Sequence, residues 1–310
     1  MAISNEDIKR VKGQGFLLNR GTERFSGRII TENGVLNAAQ LKNLAEAAEQ
    51  FGEGKVSFTS RLTVEIPGIE YENIPAFQTY VAQQGMETGG TGAKVRPVVA
   101  CKGTTCVFGL YDTQALAKEI HARMYKGYRE VAFPHKFKIA VGGCPNNCVK
   151  PDLNDLGIVG QRVPKLNLDK CRGCARCVVE NSCPMKAAKV ENGKVAIDAS
   201  RCNNCGRCMQ KCPFGVMEES ETLYKVYVGG RWGKQTRMGS PLSRLFTRQE
   251  VMDVVEKAAL FYRSHGQSGE RFGSMVDRLG LECVEKGILS DELLARKEDI
   301  LSAPIGAASR

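Results

Sequence analysis

Apolar positions return along this chain with different rhythms in different stretches. In residues 36–51 (LNAAQLKNLAEAAEQF) they recur at helical spacing among good helix formers, with Asn37 placed to cap the start. Residues 71–84 predict a second helix, and residues 25–31 read as a strand. Residues 55–66 alternate and run into Pro67-Gly68, a dipeptide that signals a turn. Residues 85–93 (GMETGGTGA) then form a glycine-rich linker. They lack G-x-G-x-x-G in a strand–helix setting, so no dinucleotide site is read there. A second unit follows: a short buried strand over 96–100 ending at Cys101, a helix over 113–124, a strand over 136–141 entering Gly142-Gly143-Cys144, and a strand over 156–159. From 165 to 220 the apolar pattern thins while charges and cysteines become dense. The pattern resumes with a strand over 223–228 and helices over 249–264 and 269–279; residues 306–310 are small and polar and are expected to fray. The organisation is therefore an α+β unit over 1–90 and an α/β unit over 91–164 and 221–310, interrupted by an insert over 165–220.

Composition narrows the class. With 310 residues, 42% of them hydrophobic, the chain is long enough for a real core. The first thirteen residues are charged and contain no apolar h-region, and no apolar run approaches a membrane span. The expectation is a cytoplasmic protein without a membrane span, in a compartment where thiols stay reduced and cysteine clusters point to metal. The formal charge of +10 counts cysteines as neutral, so metal-bound thiolates would lower it. Residues 225–237, basic and interleaved with Tyr227 and Trp232, are too small a patch to argue for nucleic acid. His121, His135 and His265 lie too far apart for an H-x3-H metal site.

Twelve of the thirteen cysteines fall into three groups. Two are runs in the insert, Cys171-x2-Cys174-x2-Cys177-x5-Cys183-Pro and Cys202-x2-Cys205-x2-Cys208-x3-Cys212-Pro, offset by 31 residues. This is the pattern of two [4Fe–4S] clusters in which the fourth cysteine of each run ligates the other cluster. One cluster would take Cys171, Cys174, Cys177 and Cys212; the other Cys202, Cys205, Cys208 and Cys183. Zinc sites close with C-x2-C pairs rather than triplets. The third group is split, Cys101-x4-Cys106 and Cys144-x3-Cys148, and Gly142-Gly143 before it would let the backbone approach a large cofactor. Cys283, left over in an apolar segment, is expected to be a buried free thiol.

The split group, with Ser60-Arg61-Leu-Thr, Arg96, Lys136-Phe137-Lys138, Val228-Gly-Gly-Arg231-Trp-Gly and Glu270-Arg-Phe-Gly273, resembles the sirohaem-dependent sulfite and nitrite reductases. The two-cluster insert in a half-length chain is similar to the catalytic subunits of anaerobic and dissimilatory-type sulfite reductases. The resemblance implies a ferredoxin-like half-parachute unit over 1–90 that carries the substrate cage, and a sirohaem/[4Fe–4S] domain interrupted by the ferredoxin module. It implies that Cys101, Cys106, Cys144 and Cys148 hold a third [4Fe–4S] cluster, Cys148 bridging to sirohaem, although the first spacing is x4 here where the family has x5. It implies further that Gly142, Gly143, Asn146 and Arg231 contact the cofactor, and that Arg61, Arg96, Lys136 and Lys138 form a catalytic anion cage. Two arginines as fixed charges and two lysines able to pass protons suit a small oxyanion. The expected activity is six-electron reduction of sulfite to sulfide, with nitrite reduction to ammonia as one alternative and a non-catalytic electron-transfer subunit as another. Residues 230–236 miss the spacing of a phosphate loop, and no nicotinamide site is visible. Electrons would come from a ferredoxin or a flavin-bearing subunit. In full-length relatives cage and cysteines come from different repeats; a single copy carrying both predicts a homo- or hetero-oligomer whose site forms between chains.

Overall fold

The structure is a computed structural model and describes residues 3–306. The expected fraying of 306–310 falls almost entirely outside them. The first unit is an antiparallel sheet built from β1 (Phe16–Leu18), β2 (Phe25–Ile30), β3 (Ser57–Phe58), β4 (Val64–Ile69) and β5 (Glu87–Thr88), in the order β1-β2-β4-β3, with β5 also paired to β2. An N-terminal helix, α1 (Asn5–Gly13), precedes it; α2 (Ala38–Phe51) and α3 (Ile74–Ala82) pack over Phe16, Phe25, Ile29, Leu44, Ile66 and Phe77. Asn37 caps α2 as expected: its side chain accepts from the Gln40 N–H at 2.8 Å while Gln40 Oε1 accepts from the Asn37 N–H at 3.0 Å, a reciprocal capping box. Pro67-Gly68 is not a turn. Both residues lie inside β4, and between the pairs Phe25↔Ile69 and Gly27↔Ile66 they face Ser26 alone. This is a β-bulge, with Gly68 at φ 88° supplying the left-handed residue.

The second unit has a mixed sheet, β14-β13-β8-β7-β6. Its parallel strands are β6 (Val99–Ala100), β7 (Ile139–Gly142) and β8 (Leu156–Gln161). The helix expected over 113–124 is α4 (Thr113–Ile120), capped by Asp112 and continued as a π-helix over His121–Lys126. All six residues of β8 are buried, as a central strand requires. Within the insert, β9 (Lys165–Leu166) pairs with β12 (Met217–Glu218); α5 (Val178–Ser182) and a hairpin of β10 (Ala188–Glu191) and β11 (Lys194–Ile197) lie between them. The chain returns through β13 (Leu223–Val228) and β14 (Ser240–Phe246), both antiparallel additions. The long helix α6 (Arg248–His265) begins at a Thr247–Glu250 capping box and is buried along most of its length. It is flanked by α7 (Phe272–Leu279) and α8 (Leu281–Leu289). Cys283 corrects the expectation: it is exposed, because Val284 and Ile288 form the inward face of α8 and Cys283 stands beside that face. No helix among the described residues is long and apolar enough to cross a membrane.

Candidate functional site

The four expected cage residues occupy two places that the fold joins. Arg61 sits on the loop between β3 and β4; Arg96 precedes β6; Lys136 and Lys138 precede β7, with Phe137 between them turned into the core. Arg61 crosses from the first unit to the second. Its guanidinium donates to Asn154 Oδ1 at 2.9 Å, to Pro97 O at 2.7 Å and to Ile139 O at 3.3 Å. Arg96 donates to Gly90 O and, at 2.8 Å, to Gly92 O. Backbone carbonyls therefore aim both guanidinium groups without forming an ion pair with either.

One carboxylate stands among these cations. Asp155 is wholly buried, accepts from the Lys138 N–H at 3.0 Å, and binds the Arg271 guanidinium through both oxygens at 2.9 and 3.1 Å. The sequence reading missed Asp155 and Arg271. Arg271 was within reach as the arginine of Glu270-Arg-Phe-Gly273; Asp155 had no motif to mark it. Burial dominates the titration of the cluster. It pulls Arg61 and Arg96 down to about 10 and Lys138 to about 8, with neighbouring Arg61 next in weight for Lys138. Lys136 is lowered by burial and then by Arg271 and Arg96. Asp155 is raised by burial against the opposing pull of Arg271. Arg61 Nε, Arg96 Nε and Arg271 Nε are buried without a hydrogen-bond partner. A surplus of cations with orphaned donors fits an anion. Arg61, Lys138, Lys150, Asn154, Trp232 and Met238 border one cavity of about 510 Å³.

Cys101 and Cys144 lie at the other end of the same strands, while Asn147 and Val149, on either side of Cys148, line the cavity that holds Arg61 and Lys138. Cys101 follows β6 and Cys144 follows β7, at the C-terminal edge of the parallel sheet, where α/β folds hold ligands. Gly143 N–H donates to Cys101 Sγ at 3.1 Å. The Cys144 thiol is raised by burial, with Cys101, Cys148 and Cys106 close enough to add to the effect. Gly142 and Gly143 are required by the chain itself: an added Cβ would stand 2.8 Å from Pro151 Cγ at Gly142 and 3.1 Å from Gly103 Cα at Gly143. Asn146 and Cys148 are exposed on the crossover to β8. Arg231 turns its guanidinium to Gln235 O at 2.7 Å and Ser274 Oγ at 3.1 Å, and its neighbour Trp232 reaches the cationic cavity.

In the insert, Cys171, Cys174, Cys177 and Cys212 line one cavity of about 210 Å³; Cys183, Cys202, Cys205 and Cys208 line a tighter one of about 20 Å³. Each set takes its fourth cysteine from the other run, the exchange that two cubane clusters require. Backbone N–H groups of Gly173 and Val195 hold the Cys171 thiol below its ordinary value, whereas burial pushes Cys208 up to about 11. Among the described residues, no three His, Cys, Asp or Glu side chains converge as a single-ion site; the cysteines frame cavities instead. Four thiols around a space, with N–H groups aimed at the sulfurs, fit a four-iron cluster.

An antiparallel sheet beside a mixed one, cysteine-lined cavities and a buried cationic pocket fit the class of iron–sulfur proteins that handle a small anion. The Nitrite and sulphite reductase 4Fe-4S domain matches residues 91–295, and the Nitrite/Sulfite reductase ferredoxin-like half domain matches residues 19–83. The chain belongs to the nitrite and sulphite reductase family. It is 32% identical over 244 residues to the Coenzyme F420-dependent sulfite reductase of Methanocaldococcus jannaschii, covering 78% of this chain but 38% of that protein. It is 30% identical over 279 residues to a subunit of the anaerobic sulfite reductase of Salmonella typhimurium, covering 83% of this chain and 79% of the relative. The crystal structure of dissimilatory sulfite reductase I shares the fold with a TM-score of 0.69 at 20% identity, over 93% of this chain and 73% of that one.

Proposed function

We propose that this chain reduces sulfite to sulfide as the catalytic part of an oligomeric reductase: HSO3⁻ + 6 e⁻ + 6 H⁺ → HS⁻ + 3 H2O. The observation that carries the reading is the cluster of Arg61, Arg96, Lys136, Lys138 and Arg271 around the single carboxylate of Asp155, with buried N–H groups unsatisfied. A protein that only relays electrons has no need of such a pocket. Cys101, Cys106, Cys144 and Cys148 would hold the third cluster, with Cys148 next to sirohaem, and the insert would hold the other two. Sirohaem and its cluster, when bound, would supply the electrons and a site for the substrate's central atom. The chain supplies the rest. Arg61 and Arg96 fix oxygens of the anion as permanent charges. Lys138 and Lys136, softened by burial, release protons from Nζ to oxygen as it departs as water.

Lys138 and Cys144 lie at opposite ends of β7. One copy that carries both the cage and the cysteines supports a site completed between chains, the cage of one facing the cysteines of another. Nitrite fits the same pocket, and a nitrite reductase of Bacillus subtilis is 24% identical over 276 residues. The test is a steady-state comparison of both anions with reduced viologen, for the native protein and for Lys138→Ala. Sulfite turnover lowered by about 10²-fold or more in the variant supports the reading; unchanged turnover with both anions removes the cage. Mixing Arg61→Ala with Cys148→Ala chains should restore part of the activity if the site is shared.

A further inference from the structure

The two cysteine-lined cavities of residues 165–220 have different surroundings. The one framed by Cys183, Cys202, Cys205 and Cys208 is clasped to the second unit. The Arg162 N–H donates to Asn204 O at 2.8 Å, and Arg162 forms an isolated bridge with Cys205. The Arg207 guanidinium lies over the Phe108 ring at 5.1 Å. A Cβ on Gly206 would come within 3.1 Å of Arg162 and 3.3 Å of Leu110. Phe108 and Leu110 belong to the loop that carries Cys106, so the inner cavity abuts the third cysteine group. Among the described residues, the cavity framed by Cys171, Cys174, Cys177 and Cys212 is lined by residues of the insert alone. Its rim is exposed: Cys174 itself, Arg172, Arg176, Val178 at 49% and Phe214 at 46%. Neither Arg172 nor Arg176 makes an ion pair or a side-chain hydrogen bond among the described residues, whereas most arginines near the cage are tied.

We propose that this outer rim is the docking face for a reduced, acidic one-electron carrier protein. Electrons then enter at the Cys171/Cys174/Cys177/Cys212 site, pass to the inner site, and leave it beside the Cys106 loop. The proposal rests on the reading of the insert as a two-cluster module. Unpaired guanidinium groups around a small apolar centre suit a transient partner: opposite charge steers and orients the encounter, and Val178 and Phe214 exclude water where the cofactors approach. Each encounter oxidises one carrier and reduces the outer site by one electron; no bond is made or broken, and the carrier departs oxidised. Six such encounters supply one sulfite.

The experiment uses the cluster-loaded full chain and, as probe, a small acidic two-cluster ferredoxin. Its binding is measured anaerobically by calorimetry at two salt concentrations, for the native protein and for the Arg172→Glu/Arg176→Glu double variant, with iron content checked in both. The expected result is a Kd that rises with salt and rises roughly tenfold or more in the variant, with Arg172→Lys/Arg176→Lys close to native. Viologen-driven turnover should stay within about twofold of native in the Glu variant, because a small dye needs no docking face. Equal binding by native and Glu variants at matched iron content overturns the docking face. Binding lost in the variant, with no viologen turnover by the native protein, upholds the docking face and removes the reductase reading instead.

Discussion

The large second unit and the insert it carries are held together by different means. The second unit buries a continuous core, with Phe137, Ile139, Leu156, Val226, Val255, Tyr262 and Phe272 wholly or almost wholly out of water. Stacked rings of Phe133, Phe137 and Tyr262, 5.7 to 6.1 Å apart, run through its middle. The insert's hydrophobic cluster is only Val179, Ala188, Val195, Val216 and Met217, and the groups packed around them include Cys171, Cys177, Cys183, Cys208 and Cys212. About fifty-five residues with so small a core need another source of stability, as small domains do. The lesson is that hydrophobic burial shapes the sheet that positions Lys138 and Arg96, while a module with so small a core would depend on the metal proposed for it.

The largest effect expected from this contrast is on loss of iron. Chelation and oxidation of the clusters should abolish amide-exchange protection across 165–220 while β7, β8 and α6 keep theirs, read by hydrogen exchange with mass spectrometry. Protection retained in the module would mean its five-residue core suffices. Next is Asp155→Ala, which strands the buried Arg271 charge and should cost about 3–5 kcal/mol in denaturant unfolding of the second unit, with the insert's iron content unaffected.

Activity should report Lys138 directly. Its pKa is lowered to about 8 from 10.5, so the proton it gives is present below pH 8 and lost as pH rises through it. Turnover should fall above about pH 8, and the limb should move upward in Lys138→Arg if that variant is active. The same shift has a stability sign. Between about 8 and 10.5 the unfolded chain binds the extra proton, so this group makes the fold more stable as pH rises through that window. The smallest effect is local: Asn37→Ala should cost about 1 kcal/mol by removing the α2 cap, with no change in iron content.

Much of this was legible in the sequence because the chemistry is periodic. The cysteine runs predict an exchange of Cys183 and Cys212, and the two cavities are lined in that way. The α2 helix and its cap were equally plain, since local spacing determines both. What escaped depended on tertiary contact. Pro67-Gly68 read as a turn because the pairing of β4 with β2, which makes it a bulge, is not local. Cys283 read as buried because its segment is apolar on average, whereas exposure depends on which face of α8 meets the core. Asp155 was invisible because a lone aspartate carries no spacing signal until the fold sets Arg271 against it, 116 residues away.

The most direct measurement is a cofactor inventory of anaerobically purified protein: visible spectrum, acid–acetone extraction of the tetrapyrrole, and iron per chain. Extractable sirohaem with about twelve cluster irons per chain is the predicted result, four for each cysteine group. Cluster absorbance without sirohaem, from a host that makes it, would contradict the reductase reading and leave an electron carrier.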